Sequence, residues 1–121
     1  MLTLQKVSLD LGPNTIVSDV DLQVAPGESV CLVGPSGCGK TSLLRMASGV
    51  LDATSGQVSN QFTTTAAVFQ EPRLLPWRRL LDNIALGLKA RGVPRRDRLT
   101  QAKELADQVG LSDYDEHFPH E

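Results

Sequence analysis

Val7, Leu9 and Leu11 alternate with polar residues, the chain turns at residues 12–14 (GPN), and Val20, Leu22 and Val24 alternate again. A period of two sends alternate side chains to opposite faces, so residues 2–24 are expected to form strands with one buried face. Residues 25–28 (APGE) are a second turn. Residues 29–33 (SVCLV) do not alternate. That suits a strand of a parallel sheet, buried on both faces. After a glycine-rich loop comes a helix with Leu43, Leu44, Met46 and Ala47 on its inner side and Gly49 near its end. Residues 52–56 (DATSG) read as a turn and residues 65–69 (TAAVF) as another buried strand. Beyond them the period becomes helical. Leu81, Ile84, Ala85 and Leu88 share one face, and after residues 92–94 (GVP) a second helix carries Leu99, Ala102, Ala106 and Val109, stopping at Gly110. There is no internal repeat and no low-complexity segment.

Composition narrows the class without choosing within it. A chain of 121 residues with 40% apolar and 21% charged residues supports one globular core. A net charge of −2 implies no polyanionic partner, so no nucleic acid is expected. Two cysteines, Cys31 and Cys38, are too few for a disulfide framework, and a reducing compartment is expected. The N-terminal MLTLQKVSLD lacks a charged segment followed by an apolar one, so no signal peptide is expected. No apolar run approaches the ~20 residues of a membrane helix. Work at a membrane would require docking onto it.

The chemistry is concentrated in one loop. Gly34-Pro-Ser-Gly-Cys-Gly-Lys-Thr41 matches G-x-x-x-x-G-K-[ST]. Phosphate oxygens need many donors at short range. Gly37 and Gly39 allow the backbone to curl until successive N–H groups point inward, with no Cβ in the way. The following helix aims its N-terminal N–H groups at the same anion. Lys40 would bridge the β- and γ-phosphates, and the Thr41 hydroxyl would bind Mg²⁺. The bland alternative is a glycine-rich turn that matches by chance. An apolar run before the loop and a periodic helix after it favour the phosphate reading.

Three separate blocks, in order, resemble the nucleotide-binding domain of ABC transporters: GESVCLVG, then GPSGCGKTS running into LLRMASGVLDATSGQV, then VFQEPRLLPWRRLLDNIALGL. The words FQEPRLLPW are similar to those in ATPases of nitrate, sulfonate or taurine importers. The resemblance covers essentially the whole chain. It implies an α/β P-loop NTPase fold of the ABC type, with an antiparallel β subdomain and P-loop core over residues 1–73 and the start of a helical subdomain over residues 74–121. It implies that Gly34, Pro35, Ser36, Gly37, Cys38, Gly39, Lys40, Thr41 and Ser42 hold the triphosphate of ATP. Lys40 and Gln70 would be catalytic, and Thr41 and Gln70 would bind Mg²⁺. Gln70, at the end of a buried strand, would touch the metal or the attacking water and sense a transmembrane partner; alone it would read as an ordinary strand-end glutamine. Leu11 stands where the family usually stacks an aromatic residue on adenine. It offers apolar contact without a π-face, and it reads equally as a core strand residue.

The resemblance also implies partners and a place. These are a second nucleotide-binding subunit in a head-to-tail dimer, transmembrane permease subunits and a solute-binding protein, at the inner face of the cell membrane on the cytoplasmic side. Hydrolysis in this family further needs an acidic strand, four apolar residues followed by Asp and Glu. AAVFQE carries Gln70 in place of the Asp, and LSDYDEHF has acids with no strand before them. An L-S-G-G-Q signature and a later switch histidine are absent, and the words FPHE precede that signature in the resembling importers. The reading is therefore the front part of such a domain, truncated, able to hold nucleotide and poor at hydrolysing it. One alternative is a nucleotide-binding or inert fragment with no transport role. Another is a small P-loop kinase or GTPase. No N-K-x-D base-reading motif supports a GTPase, and Arg91, Arg95, Arg96 and Arg98 make a weak candidate for a kinase lid.

Other features have two readings each. Cys38 lies among loop amides beside Lys40, which would make its thiol reactive, or it is a small residue that fits the loop. Cys31 is expected to be buried in a strand. The arginines from Arg91 to Arg98 face lipid or a partner, or form a solvated helix end. Trp77 with Leu74, Leu75 and Pro76 suits a groove for a permease helix, or packs between subdomains. His117 and His120 are expected to be a solvated surface pair.

Overall fold

The two alternating runs pair as an antiparallel hairpin, β1 (Leu2–Leu11) and β2 (Asn14–Val24). Residues 1–121 are described by a computed structural model, in which the chain divides into two compact units, Met1–Val68 and Phe69–Glu121. A third strand, β3 (Ser55–Asn60), lies on the other edge of β1, giving the order β2-β1-β3 with both pairings antiparallel.

The hairpin solves a parity problem visible in its sequence. Leu2 and Leu4 occupy even positions, and Val7 and Leu9 odd ones. A regular strand would send one pair into water, because side chains alternate with a strict period of two. Lys6 (φ 47°) and Asp19 (φ 53°) enter the left-handed region where the pairing register shifts. Each acts as the extra residue of a β-bulge, which resets the alternation. The Lys6 amide donates to Asp21 Oδ1 and the Asp19 amide to Ser8 Oγ, both at 2.9 Å, so neither bulge leaves its N–H unpaired. Leu4, Val7, Leu9 and Val17 thereby share one core with Leu43 and Met46.

Those last two come from α1 (Lys40–Ala47). Leu43, Met46 and Ala47 follow the i, i+3, i+4 spacing of one helix face and turn toward the sheet. Leu44, expected with them, is 59% exposed. One residue on from Leu43 it is rotated by ~100°, off the packed stripe. The helix ends where expected: Gly49 takes φ 74°, the Val50 amide donates to Arg45 O (2.9 Å) and the Gly49 amide to Met46 O (3.1 Å). This is the paired-amide Schellman stop that favours glycine.

β3 corrects the reading of residues 52–56 as a turn only, since Ser55 and Gly56 already belong to the strand. Its sequence, SGQVSN, has a single apolar residue, Val58, which pairs opposite Leu4. The strand is held by backbone pairing, which a hydrophobic pattern does not register. Gly56 sits at φ 84°, and a Cβ there would stand 2.2 Å from the Lys6 carbonyl oxygen on the β1 bulge. Gly56→Ala is therefore expected to cost about 1–3 kcal/mol from overpacking alone, with a further ~1–3 kcal/mol from the left-handed backbone. Gly27→Ala isolates the backbone part, because Gly27 has φ 78° and nothing within 4 Å of its missing Cβ. The check is the midpoint of thermal loss of β signal. Equal midpoints for the two variants would show that the bulge does not press on Gly56.

The two expected buried strands do not form. Residues 29–33 and 65–69 lie outside every strand. Val33 and Val68 are fully or almost fully exposed, at 90% and 102%, and Cys31, expected to be buried, is exposed. A strand buried on both faces needs neighbours on both edges and cover on both sides. The three-stranded antiparallel sheet supplies none of these to either segment.

The second unit is helical: α2 (Leu80–Ile84), α3 (Leu86–Ala90) and α4 (Arg95–Gln108), then a 3₁₀ turn at Ser112–Tyr114. The single helix expected around Leu81, Ile84, Ala85 and Leu88 is interrupted at Ala85. The interruption is slight, because Ala85 is buried and still bridges Leu81 O and the Lys89 amide at 2.9 Å each. In α4, Ala102 and Ala106 are buried and Leu99 is half-buried. Val109 leaves this face and is exposed, since α4 ends at Gln108 and Val109 is its cap. Gly110 (φ 78°) makes the stop, with the Leu111 amide on Ala106 O at 2.8 Å. No helix is long and apolar enough to cross a membrane.

Candidate phosphate-binding site

The loop of residues 34–42 lies between the hairpin and α1. Two of its glycines, Gly37 (φ 81°) and Gly39 (φ 94°), adopt the left-handed backbone that side-chain-bearing residues avoid. Gly39 has a second reason to be glycine. A Cβ there would stand 2.8 Å from the Ile16 carbonyl oxygen and 2.9 Å from Val17 Cγ2, so β2 lies directly against the loop. A Cβ on Gly34 would meet Cys38 Sγ at 2.8 Å. Only the exit is closed to a Cβ by backbone: at Gly39 the Ile16 carbonyl stands in the way, whereas at Gly34 the Cys38 side chain can turn aside.

This curl leaves backbone donors unused. Within the loop the Cys38 amide reaches the Pro35 carbonyl at 3.4 Å, and the first helical bond is Leu43 N–H to Gly39 O at 2.9 Å. The amides of Gly37, Gly39, Lys40, Thr41 and Ser42 find no backbone acceptor. The first turn of any helix has such orphan donors. Here they adjoin glycine amides freed by the curl, at the positive end of the α1 dipole. The N-cap, Gly39, supplies no side chain to satisfy them.

Lys40 completes the donor set. Its ammonium donates to the Gly34 carbonyl (2.8 Å) and the Pro35 carbonyl (2.6 Å), with Cys38 Sγ at 3.6 Å. The charge thus lies across the loop it belongs to. Thr41 is exposed beside it and Ser42 half-buried. Backbone amides, the Lys40 ammonium and the hydroxyls of Ser36, Thr41 and Ser42, with no carboxylate among residues 34–42, form a donor set that fits a polyphosphate.

The remaining expected residues are distributed differently. Leu11, at the end of β1, is 57% exposed and outside the buried cluster, so the core reading fails for it. Gln70 is exposed and follows no strand. It belongs to the second unit, whereas the loop belongs to the first. No group of three or more His, Cys, Asp or Glu could hold a metal ion. Among the arginines expected as a solvated end or a binding face, Arg95 pairs with Asp82 at 3.5 Å and Arg98 donates to the Val93 carbonyl at 3.2 Å. His117 and His120 are exposed, each beside an aromatic ring, Tyr114 and Phe118 respectively. The contribution of Ile16 and Val17, which back the loop through Gly39, was not legible in the sequence. It depends on a contact more than twenty residues distant, with no local signal at either end.

A glycine-curled loop that opens a helix, with a lysine at the turn, defines the P-loop class of nucleotide-binding proteins. Residues 17–121 match the family model described as ABC transporter, and the chain belongs to that family. It is 38% identical to an aliphatic sulfonates import ATP-binding protein, SsuB, of Albidiferax ferrireducens, over 98% of this chain and 43% of that protein. It is 43% identical to an SsuB of Burkholderia cenocepacia over 89% of this chain and 41% of that protein. A taurine import ATP-binding protein, TauB, of Yersinia pestis is 37% identical over 84% of this chain and 43% of its own length. The chain thus spans less than half the length of these curated relatives. In fold it superposes on the ATP-binding cassette MJ0796, solved as a dimer bound to ADP and Pi, with TM-score 0.83 and 24% identity, over 99% of this chain and 62% of that one.

Proposed function

We propose that this chain is the nucleotide-holding part of the ATP-binding subunit of an ABC importer. The observation that carries the reading is the convergence of free backbone amides, the Lys40 ammonium and the Thr41 hydroxyl on one loop at the start of α1. In this role the amides of Gly37 to Ser42 bind the phosphate chain. Lys40 exchanges its carbonyl contacts for the β- and γ-phosphates. Thr41 offers its hydroxyl to Mg²⁺, which in such sites takes few protein ligands and keeps waters and phosphate oxygens. The bound cation supplies charge neutralisation at the transferring phosphate. Cys38 contributes its amide, and Leu11 an apolar contact for the base. Gln70 orients water and senses the permease.

In the whole protein, hydrolysis drives uptake, with a second nucleotide-binding subunit, membrane-embedded permease subunits and a solute-binding protein as partners. The subunit is peripheral on the cytoplasmic face of the membrane. The names of the sulfonate and taurine import relatives support an organic sulfonate as solute. The test is growth of the source cell on taurine or an alkanesulfonate as sole sulfur source. Disruption of the gene abolishes that growth and leaves growth on sulfate intact, and a copy carrying Lys40→Ala fails to restore it. Unchanged growth of the disrupted strain on every sulfonate tried would overturn the solute assignment.

A further inference from the structure

Beyond the bulges at Lys6 and Asp19, the hairpin carries a third register shift. Leu9 pairs with Val17, but Asp10 pairs with Thr15, so Ile16 is the extra residue on β2. A Cβ on Gly39 would meet the carbonyl of this same Ile16, so the bulge lies against the phosphate loop. A bulge bends the strand and changes which side chains share a face. Thr15, two residues from Val17, would otherwise lie on the core face; the extra residue moves it to the far face beside its partner Asp10. Leu11 keeps the face of Leu9, which packs with Val17, Leu43 and Met46. Leu11 therefore stands on the side of the sheet that carries α1, and it is 57% exposed there. Its partner Asn14 is two residues from Ile16, about 7 Å at the ~3.3 Å rise of a strand. A ribose and base extending from phosphates at the loop cover such a distance.

The bulged tip is tied down from the face and the edge that such a ligand does not touch. Thr15 Oγ1 donates to Asp10 Oδ1 at 2.6 Å, and the Asp10 amide donates to Thr54 Oγ1 at 2.9 Å. The pairing of β1 with β3 stops at Ser8, opposite Ser55. Thr54 extends it: its amide donates to Ser8 O at 2.9 Å, and its hydroxyl takes up the next β1 amide on that edge. Asp10, Thr15 and Thr54 are all exposed, so these ties bury no apolar side chain and fix only where the tip lies.

We propose that Thr15, Asp10 and Thr54 are positioning residues for the nucleoside: their hydrogen bonds hold the bulged tip so that Leu11 covers the base of a nucleotide whose phosphates the loop holds. This role rests on the nucleotide reading above. It makes base and phosphates the business of separable parts of the first unit.

Calorimetric titration of the chain with MgATP and with the magnesium salt of inorganic triphosphate separates those parts. Thr15→Val removes the hydroxyl and keeps the branched β-carbon. It is expected to raise Kd for ATP about fivefold, the size of one neutral hydrogen bond, and to leave Kd for triphosphate unchanged. Thr54→Val, acting from the other edge, moves the ratio of the two constants in the same direction. Thr15→Ser keeps the donor and restores wild-type affinity for ATP. Leu11→Ala also weakens ATP alone, and adding Thr15→Val to it changes nothing further, because the tip then has no base contact to position. Equal losses for ATP and triphosphate in both Thr15→Val and Thr54→Val would overturn the proposal, since the ties would then support the loop or the whole unit. Unchanged ATP affinity in both variants, or full additivity with Leu11→Ala, would overturn it as well. A wild-type chain that binds neither ligand would strike the nucleotide reading itself, and this role with it.

Discussion

Lys40→Ala lowers affinity for a nucleoside triphosphate by about two orders of magnitude. The ammonium would face two phosphates, and each hydrogen bond to a charged group is worth about 1.5–3 kcal/mol. Part of that is offset, because Lys40 must give up its bonds to the Gly34 and Pro35 carbonyls at 2.8 and 2.6 Å. A net loss near 3 kcal/mol is about a hundredfold in Kd. Lys40→Arg is not expected to restore it. A planar, bulkier guanidinium does not replace the compact ammonium point charge that two phosphates of one chain would share here. Titration with a fluorescent ATP analogue measures the effect. Equal affinity for wild type and Lys40→Ala would remove the loop from the nucleotide site.

Phosphate release by the 121-residue chain stays at buffer background even with the loop saturated. Phosphoryl transfer depends almost wholly on positioning and charge stabilisation. The loop supplies ground-state contacts, and the chain offers no acidic residue behind an apolar strand to polarise water. A missing general base alone removes about 10²–10⁴-fold. The exposed Gln70, outside any strand, adds nothing fixed to replace it. A Lys40→Ala chain from the same preparation controls for contaminating ATPase. Turnover near one per second that disappears in that control would mean that a water-activating group exists within these residues.

What could be read from the sequence follows the range of the physics involved. The glycine loop was legible because left-handed backbone and donor placement are local, and Gly37 and Gly39 adopt the backbone their spacing implies. The stops at Gly49 and Gly110 were legible for the same reason. The hairpin was legible, and the parity change between Leu4 and Val7 contained the bulge at Lys6 as well. β3 was not, because Gln57 and Ser59 carry no apolar signal and the strand exists through β1's backbone. Residues 29–33 and 65–69 failed in the opposite sense. Their apolar runs state what such a strand needs, and pairing depends on neighbours that the β2-β1-β3 sheet does not provide. Leu44 lies one helical step off the packed stripe, and the width of that stripe is set by the sheet it packs on rather than by the local sequence. Asn83 gives no signal in the sequence, because an asparagine in a helical stretch has no pattern of its own; only the fold shows its carboxamide bonded to Leu75, Arg78 and Arg79.

In the proposed site the amides of Gly37 and of Gly39 to Ser42, which have no backbone acceptor, are the phosphate donors. Hydrogen exchange across this loop, followed by mass spectrometry at micromolar protein with saturating MgATP or with adenosine, tests it most directly. Bound phosphate oxygens would occupy amides that now lack backbone acceptors, so MgATP should slow exchange across the loop by at least about tenfold, the equivalent of one added hydrogen bond of ~1.4 kcal/mol. Adenosine should leave it unchanged, and β3 should be insensitive to both. Exchange in the loop that is equally fast with and without MgATP at saturation, or slowed as much by adenosine, would mean that these amides do not hold phosphate.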